Sequence, residues 1–292
     1  MAVDTGRAVE VGADRTIAGL DALDLAATAS GESRLAKVWA SAWPKLLALA
    51  FVLGVWQVVY WSGWREPWVL PAPQEVFADL ARAVTTADFW RAIATTLRRG
   101  LVGFVLAAAI GLVLGVAVAR VRPLRAALGS AITALQTMPS IAWFPLAILL
   151  FQISENAILF VVVLGAAPSI ANGVISGVDY VPPLLLRAGR NFGARGLSLY
   201  RYVVAPASLP AIVSGLKQGW AFAWRSLLAG ELLVIIAQRP ALGVRLQGLR
   251  EQNDAAGVIS TMIVIFVIGV LADAVFSSAD RRLRRAWGLD QA

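Results

Sequence analysis

Arg187-Ala188-Gly189-Arg190-Asn191-Phe192-Gly193, running on to Val203-Val204-Ala205-Pro206, is a polar, glycine-punctuated segment set between two long apolar runs. Pro182-Pro183 opens a short helix there, because proline fits the first helical turn, and Gly193 closes it by taking a left-handed backbone conformation without a Cβ clash. A second short helix is expected from near Ser198 to Pro206. Two small helices joined at a glycine make a compact knob. Arg187, Arg190, Arg195 and Arg201 place that knob on the cytoplasmic side under the positive-inside rule.

The composition around the knob is that of an integral membrane protein. Of 292 residues, 59% are hydrophobic and only 15% charged, with a mean hydropathy of +0.71, far from the balance of a soluble domain. Cysteine and histidine are both absent. That removes thiol nucleophiles, disulfides, the usual zinc sites and the ordinary near-neutral proton switch. The formal charge of +8 does not indicate nucleic acid, because the arginines collect beside apolar runs and form no aromatic-interleaved face.

Six spans are expected along the chain, making the fold all-α and polytopic. The first uncharged run is Leu46 to Trp64, with Trp56, Tyr60, Trp61 and Trp64 toward one end, where amphipathic rings favour the interface. Leu70-Pro71-Ala72-Pro73 then leads into an amphipathic helix near Gln74 to Val84 at the outer surface. The second span contains Leu101 to Ala119 and extends toward Ala92, which puts Arg98 and Arg99 at its outer end against the charge rule. Arg120, Arg122 and Arg125 form a cytoplasmic turn. The third span, 126–154, is interrupted by Pro139 and Pro145, and the fourth covers Asn156 to Val178. The knob follows, then a fifth span at about Ser208 to Ile236 and a sixth at about Ala255 to Phe276. Arg281-Arg282-Leu283-Arg284-Arg285 closes the chain in the cytoplasm, so both termini lie inside.

Several polar side chains interrupt these spans. Lys217, Trp224 and Glu231 fall on one stripe of the fifth span, with Gln218 and Arg225 on an adjacent one. A charge near the bilayer centre costs about 2.5–3.5 kcal/mol on insertion scales, so such residues face protein or a wet pathway. Arg225, with Trp224 and Gln218, either passes an anionic substrate or pairs with Glu231 or a second subunit to fix packing. Gln136 and Ser140 flank Pro139, where a broken helix releases backbone groups toward a pathway or packs as a kink. Asn172 either lines the pathway or bonds between helices. Gly103, Gly111 and Gly115 make a close-packing surface. No Gly-x-x-x-x-Gly-Lys-Ser/Thr phosphate loop occurs, so ATP is not bound here in the P-loop manner.

The knob resembles the Glu-Ala-Ala loop of ATP-binding-cassette (ABC) importer permeases. Arg187-Ala188-Gly189 stand where Glu-Ala-Ala would, Gly193 matches the spaced glycine, and Val203-Val204-Ala205-Pro206 takes the place of Ile-x-Leu-Pro. Leu70-Pro71-Ala72-Pro73 with Val76, Pro139-Ser140-Ile141-Ala142 with Pro145-Leu146, Asn172 to Asp179, Ala207 to Gly215, and Ala223-Trp224 to Gly230-Glu231-Leu232 look like the nitrate, sulfonate, taurine and bicarbonate permeases of that class, over residues 43–280. The resemblance implies a type I ABC importer permease in a bacterial inner membrane. It divides the chain into a disordered cytoplasmic tail (1–40), a six-span permease domain (41–280) containing the coupling loop 179–206, and a basic tail (281–292).

The same resemblance implies a homodimer with two cytoplasmic ATPases, which bind the ATP and Mg²⁺, and an extracytoplasmic solute-binding protein. The chain itself is then no enzyme and holds no cofactor. Arg187, Ala188, Gly189, Arg190, Gly193, Arg195 and Pro206 are the ATPase-coupling residues, and Gln136, Ser140, Asn172, Gln218, Trp224, Arg225 and Glu231 the pathway residues. The expected substrate is a small oxyanion, aliphatic sulfonates including taurine first, with nitrate, bicarbonate or a vitamin precursor within the same machinery. In other classes stand an ion-coupled secondary transporter, against which the knob argues, and an intramembrane enzyme, for which no paired nucleophile and base emerge.

Overall fold

The structure, a computed structural model, describes residues 34–236 and 239–286. Among the described residues every regular element is helical. The tail expected over residues 1–40 falls outside the described residues as far as 33, and from Arg34 onward the chain is already helical. The basic tail is described only to residue 286, in a continuing helix.

Two compact units divide between Trp64 and Arg65. The first contains α1 (Arg34–Trp61), in which Ala42–Trp61 is a 20-residue apolar stretch. At about 1.5 Å per residue that length matches a hydrocarbon core of about 30 Å.

The second unit starts with α2 (Pro73–Ala83), whose first-turn proline supplies a fixed φ where no N–H is needed. Next, α3 (Ala87–Arg120) has 34 residues and is about 51 Å long, well beyond what a bilayer requires. Its apolar part is Leu101 to Ala119, so the turns bearing Arg91, Arg98 and Arg99 extend past the hydrocarbon. The third span is broken into α4 (Arg122–Thr137), a 3₁₀ turn (Ser140–Trp143) and α5 (Phe144–Phe151), with a bend of 105°. Pro139 marks the break: Met138 before it takes an extended ψ of 127°, the conformation that a following proline favours over the helical one. Pro145 interrupts nothing, since it lies in the first turn of α5, where proline is tolerated.

Helix α6 (Glu155–Asp179) forms the centre, with Ile158, Val161, Val162, Ile170 and Val174 buried. After it come α7 (Pro183–Asn191), α8 (Leu197–Leu233), α9 (Leu242–Glu251) and α10 (Ala255–Ala286). Both α3 and α8 approach α6 at backbone distance. A Cβ on Gly111 would lie 2.7 Å from the Ala167 carbonyl oxygen, one on Gly115 would lie 2.6 Å from Val174 Cβ, and one on Gly173 would lie 2.6 Å from Gly215 Cα. Within lipid there is little solvent-driven gain from burying apolar surface, so close van der Waals contact through small residues holds such helices together. The expected Gly103, Gly111 and Gly115 surface is therefore the α3 side of this contact. Five helices among the described residues are long and apolar enough to cross a membrane, and the bent α4–α5 pair makes a sixth if it counts as one span.

Candidate functional site

The knob forms from local chemistry. Helix α7 begins at Pro183 and closes in a Schellman motif: the Ala194 N–H donates to the Gly189 carbonyl at 2.9 Å and the Gly193 N–H to the Arg190 carbonyl at 3.0 Å. Gly193 carries the required positive φ, +84°. Ser198, in the first turn of the next helix, folds its hydroxyl back on the preceding loop, accepting from the Arg195 N–H at 2.9 Å and donating to the Arg195 carbonyl at 2.8 Å. The second helix does not stop at Pro206, as expected. It runs on as α8 through a wide turn at Tyr200–Val204 with i→i+5 hydrogen bonding, and that turn relieves the clash a proline ring makes with the carbonyl one α-turn earlier. The knob is thus continuous with the span that follows it.

Gly189 fixes the knob to that span. A Cβ there would come 2.7 Å from Val203 Cγ2 and 3.0 Å from Leu199 Cδ1, so only glycine allows α7 to lie this close. The opposite side of the knob faces outward: Leu184 is 74% and Phe192 91% exposed, and Arg187, Arg190 and Arg195 are exposed beside them. Ala188 and Pro206 are half-buried. Exposed large apolar groups rimmed by charge are the composition of a protein-docking surface.

The expected pathway residues divide into two environments. Gln218 and Arg225 are exposed on α8. Arg225 donates from Nε to the Ala221 carbonyl at 3.1 Å, lies over the Phe222 ring, and has no carboxylate partner among the described residues. It enters a cavity of about 540 Å³ between α8 and α10, also lined by Trp224, Met262, Phe266 and Asp273. Asp273 is held by Lys217 at 3.0 Å. Trp224 is otherwise wedged into the core. Ser140 packs where a Cβ on Gly165 would come 3.5 Å from its own Cβ, Asn172 is half-buried on α6, and Gln136 folds back on the Ile132 carbonyl at 3.4 Å.

Glu231 does not pair with Arg225; its partner is Arg99. It is 0% exposed, and each of its oxygens is engaged. Arg99 Nη1 donates to Oε1 at 3.2 Å, the Gly243 N–H donates to Oε2 at 3.1 Å, and Thr96 Oγ1 lies within 3.1 Å of both. Thr96 Oγ1 also accepts from the Leu242 N–H at 2.9 Å. Arg99 extends to Glu155 at 3.1 Å, and Arg239 reaches the same Glu155 oxygen. This lattice ties α3, α6, α8 and α9 together. The physical reason for the correction is helical phase: six residues at about 100° each put Arg225 and Glu231 about 120° apart around α8. Thr96, Arg99, Glu155 and Arg239 were missed as a set, although an arginine and two glutamates near the ends of three different spans are a signal, since buried charges require partners.

Residues 78–285 match the family described as the binding-protein-dependent transport system inner membrane component. A probable ABC transporter permease protein of Brucella melitensis is 30% identical over 238 residues, covering 82% of this chain and 94% of that protein. The taurine transport system permease protein TauC of Escherichia coli is 28% identical over 240 residues, covering 80% and 86%. Among solved structures, a chain of the MetNI methionine ABC transporter in an inward-facing conformation is 20% identical with a TM-score of 0.54, covering 70% of this chain and 95% of that one. The fold is that of a type I ABC importer permease.

Proposed function

The chain belongs to the family of inner membrane components of binding-protein-dependent transport systems, and from that premise we propose that it forms half of the passage of an ATP-driven importer for a small oxyanion, aliphatic sulfonates and taurine first. A second copy supplies the other half. Two cytoplasmic ATPases carry ATP and Mg²⁺, and an extracytoplasmic protein delivers the solute. Both termini and the knob lie in the cytoplasm.

The observation that carries this reading is the seating of α7 on α8 through Gly189, with an apolar and arginine-bearing face turned outward. When ATP closes the two ATPases, a knob held in this way moves with them. Because α8 has no break between Leu197 and Leu233, the displacement reaches the level of Gln218 and Arg225 as a rigid-body shift. Arg187, Arg190 and Arg195 on the free side call for carboxylates in the ATPase socket. Arg225, lacking an acid partner among the described residues, supplies the charge that an oxyanion meets in passage.

Reconstitution with the ATPase and solute-binding protein tests the proposal. Uptake of taurine or an alkanesulfonate that requires ATP and exceeds uptake of nitrate or bicarbonate is expected. Uptake driven by an ion gradient without ATP would point to a secondary transporter, and ATP-driven preference for nitrate or bicarbonate would overturn the substrate order.

A further inference from the structure

The outer turns of α3 carry a second charged feature. Arg91, Thr95 and Arg98 have the i, i+4, i+7 spacing that keeps side chains on one helical face, whereas Arg99 is turned inward and only 4% exposed. Arg239 and Pro240, from the segment joining α8 to α9, form a facing wall, and the space between is a cavity of about 410 Å³ lined, among the described residues, by no acidic one. Arg91 is held by Asp88 at 3.0 Å and Arg239 by Glu155. Arg98 is exposed and has no carboxylate partner among the described residues. Four guanidiniums (Arg91, Arg98, Arg99, Arg239) against three carboxylates (Asp88, Glu155, Glu231) leave one positive charge uncompensated.

An unmatched arginine beside the outer membrane face goes against the charge rule, and a counter-charge from outside the chain resolves the conflict. Guanidinium groups bind sulfonate and phosphate oxygens in two-pronged geometry. We propose that this cavity is an oxyanion-binding site at the outer mouth, taking the sulfonate, sulfate or phosphate group of an anion. Its outer placement rests on the orientation given above. The same group is offered by a free anion or by the headgroup of an anionic lipid.

The test uses the full transporter complex in nanodiscs of phosphatidylcholine, with and without added phosphatidylglycerol. Inorganic sulfate is titrated by calorimetry, and retained phosphatidylglycerol is counted by native mass spectrometry, for the wild type, Arg98→Gln, Arg98→Lys and Arg91→Gln. Loss of sulfate affinity by about tenfold or more in Arg98→Gln, partly restored in Arg98→Lys, supports a free-anion site. Loss of bound phosphatidylglycerol with the same variant order supports the site with lipid as its source. Unchanged binding of both in Arg98→Gln and Arg91→Gln overturns it. These readouts need no transport, so a complex that binds sulfate through Arg98 but imports no sulfonate would sink only the proposed substrate. One that imports sulfonate and shows neither binding loss would sink only this site.

Discussion

Glu231 and Arg225 are both ionisable side chains of α8, and their surroundings assign them different work. Glu231 is enclosed by Arg99, Thr96 and the Gly243 amide. Glu231→Ala strips Arg99 of its fully buried partner, leaving only the partly exposed Glu155, and is expected to cost about 3 kcal/mol or more, because a poorly compensated interior charge is worse than none. Thermal unfolding in detergent should therefore show a lowered midpoint, and the double variant Glu231→Ala/Arg99→Leu should recover part of it. Arg225→Gln removes an exposed charge with no acid partner among the described residues, so the midpoint should stay put. Sulfonate uptake should fall about tenfold or more if a charge-assisted contact is lost; normal uptake with normal ATP coupling would exclude Arg225 from substrate contact.

Helices were legible wherever apolar length and punctuation agreed. The α6 span, the Pro139 break and the Gly193 closure of α7 follow from residue types that admit little else. Boundaries were less legible, because α3 and α10 continue well past their apolar parts and hydropathy does not register helix that lies outside lipid. The run of α8 through Pro206 was not legible either, since a single wide turn absorbs what proline normally ends. Nor was the Arg99 lattice, which joins residues more than a hundred positions apart. Gly189 is the element-scale test. Gly189→Val pushes a side chain into Val203 and Leu199 and should lever α7 off α8. Strain of this kind costs about 1–3 kcal/mol, little beside the mechanical consequence: ATP should still be hydrolysed while the number of solute molecules moved per ATP drops. An unchanged ratio would show that force does not pass through this contact.

At the scale of the molecule, the account describes a passage moved by a motor that docks from the cytoplasm. The family match and the fold establish the class of machine, and the exposed face of α7 is where the proposed function puts the grip of the motor. The chain contains no cysteine, so a single introduced thiol reports one position without background. The most direct measurement is Phe192→Cys in the assembled complex, assayed by crosslinking to the ATPase subunit and by labelling with a membrane-impermeant maleimide added from either side. The account predicts a crosslink to the ATPase and labelling from the cytoplasmic side alone, whereas labelling from the outer side with no crosslink would contradict it.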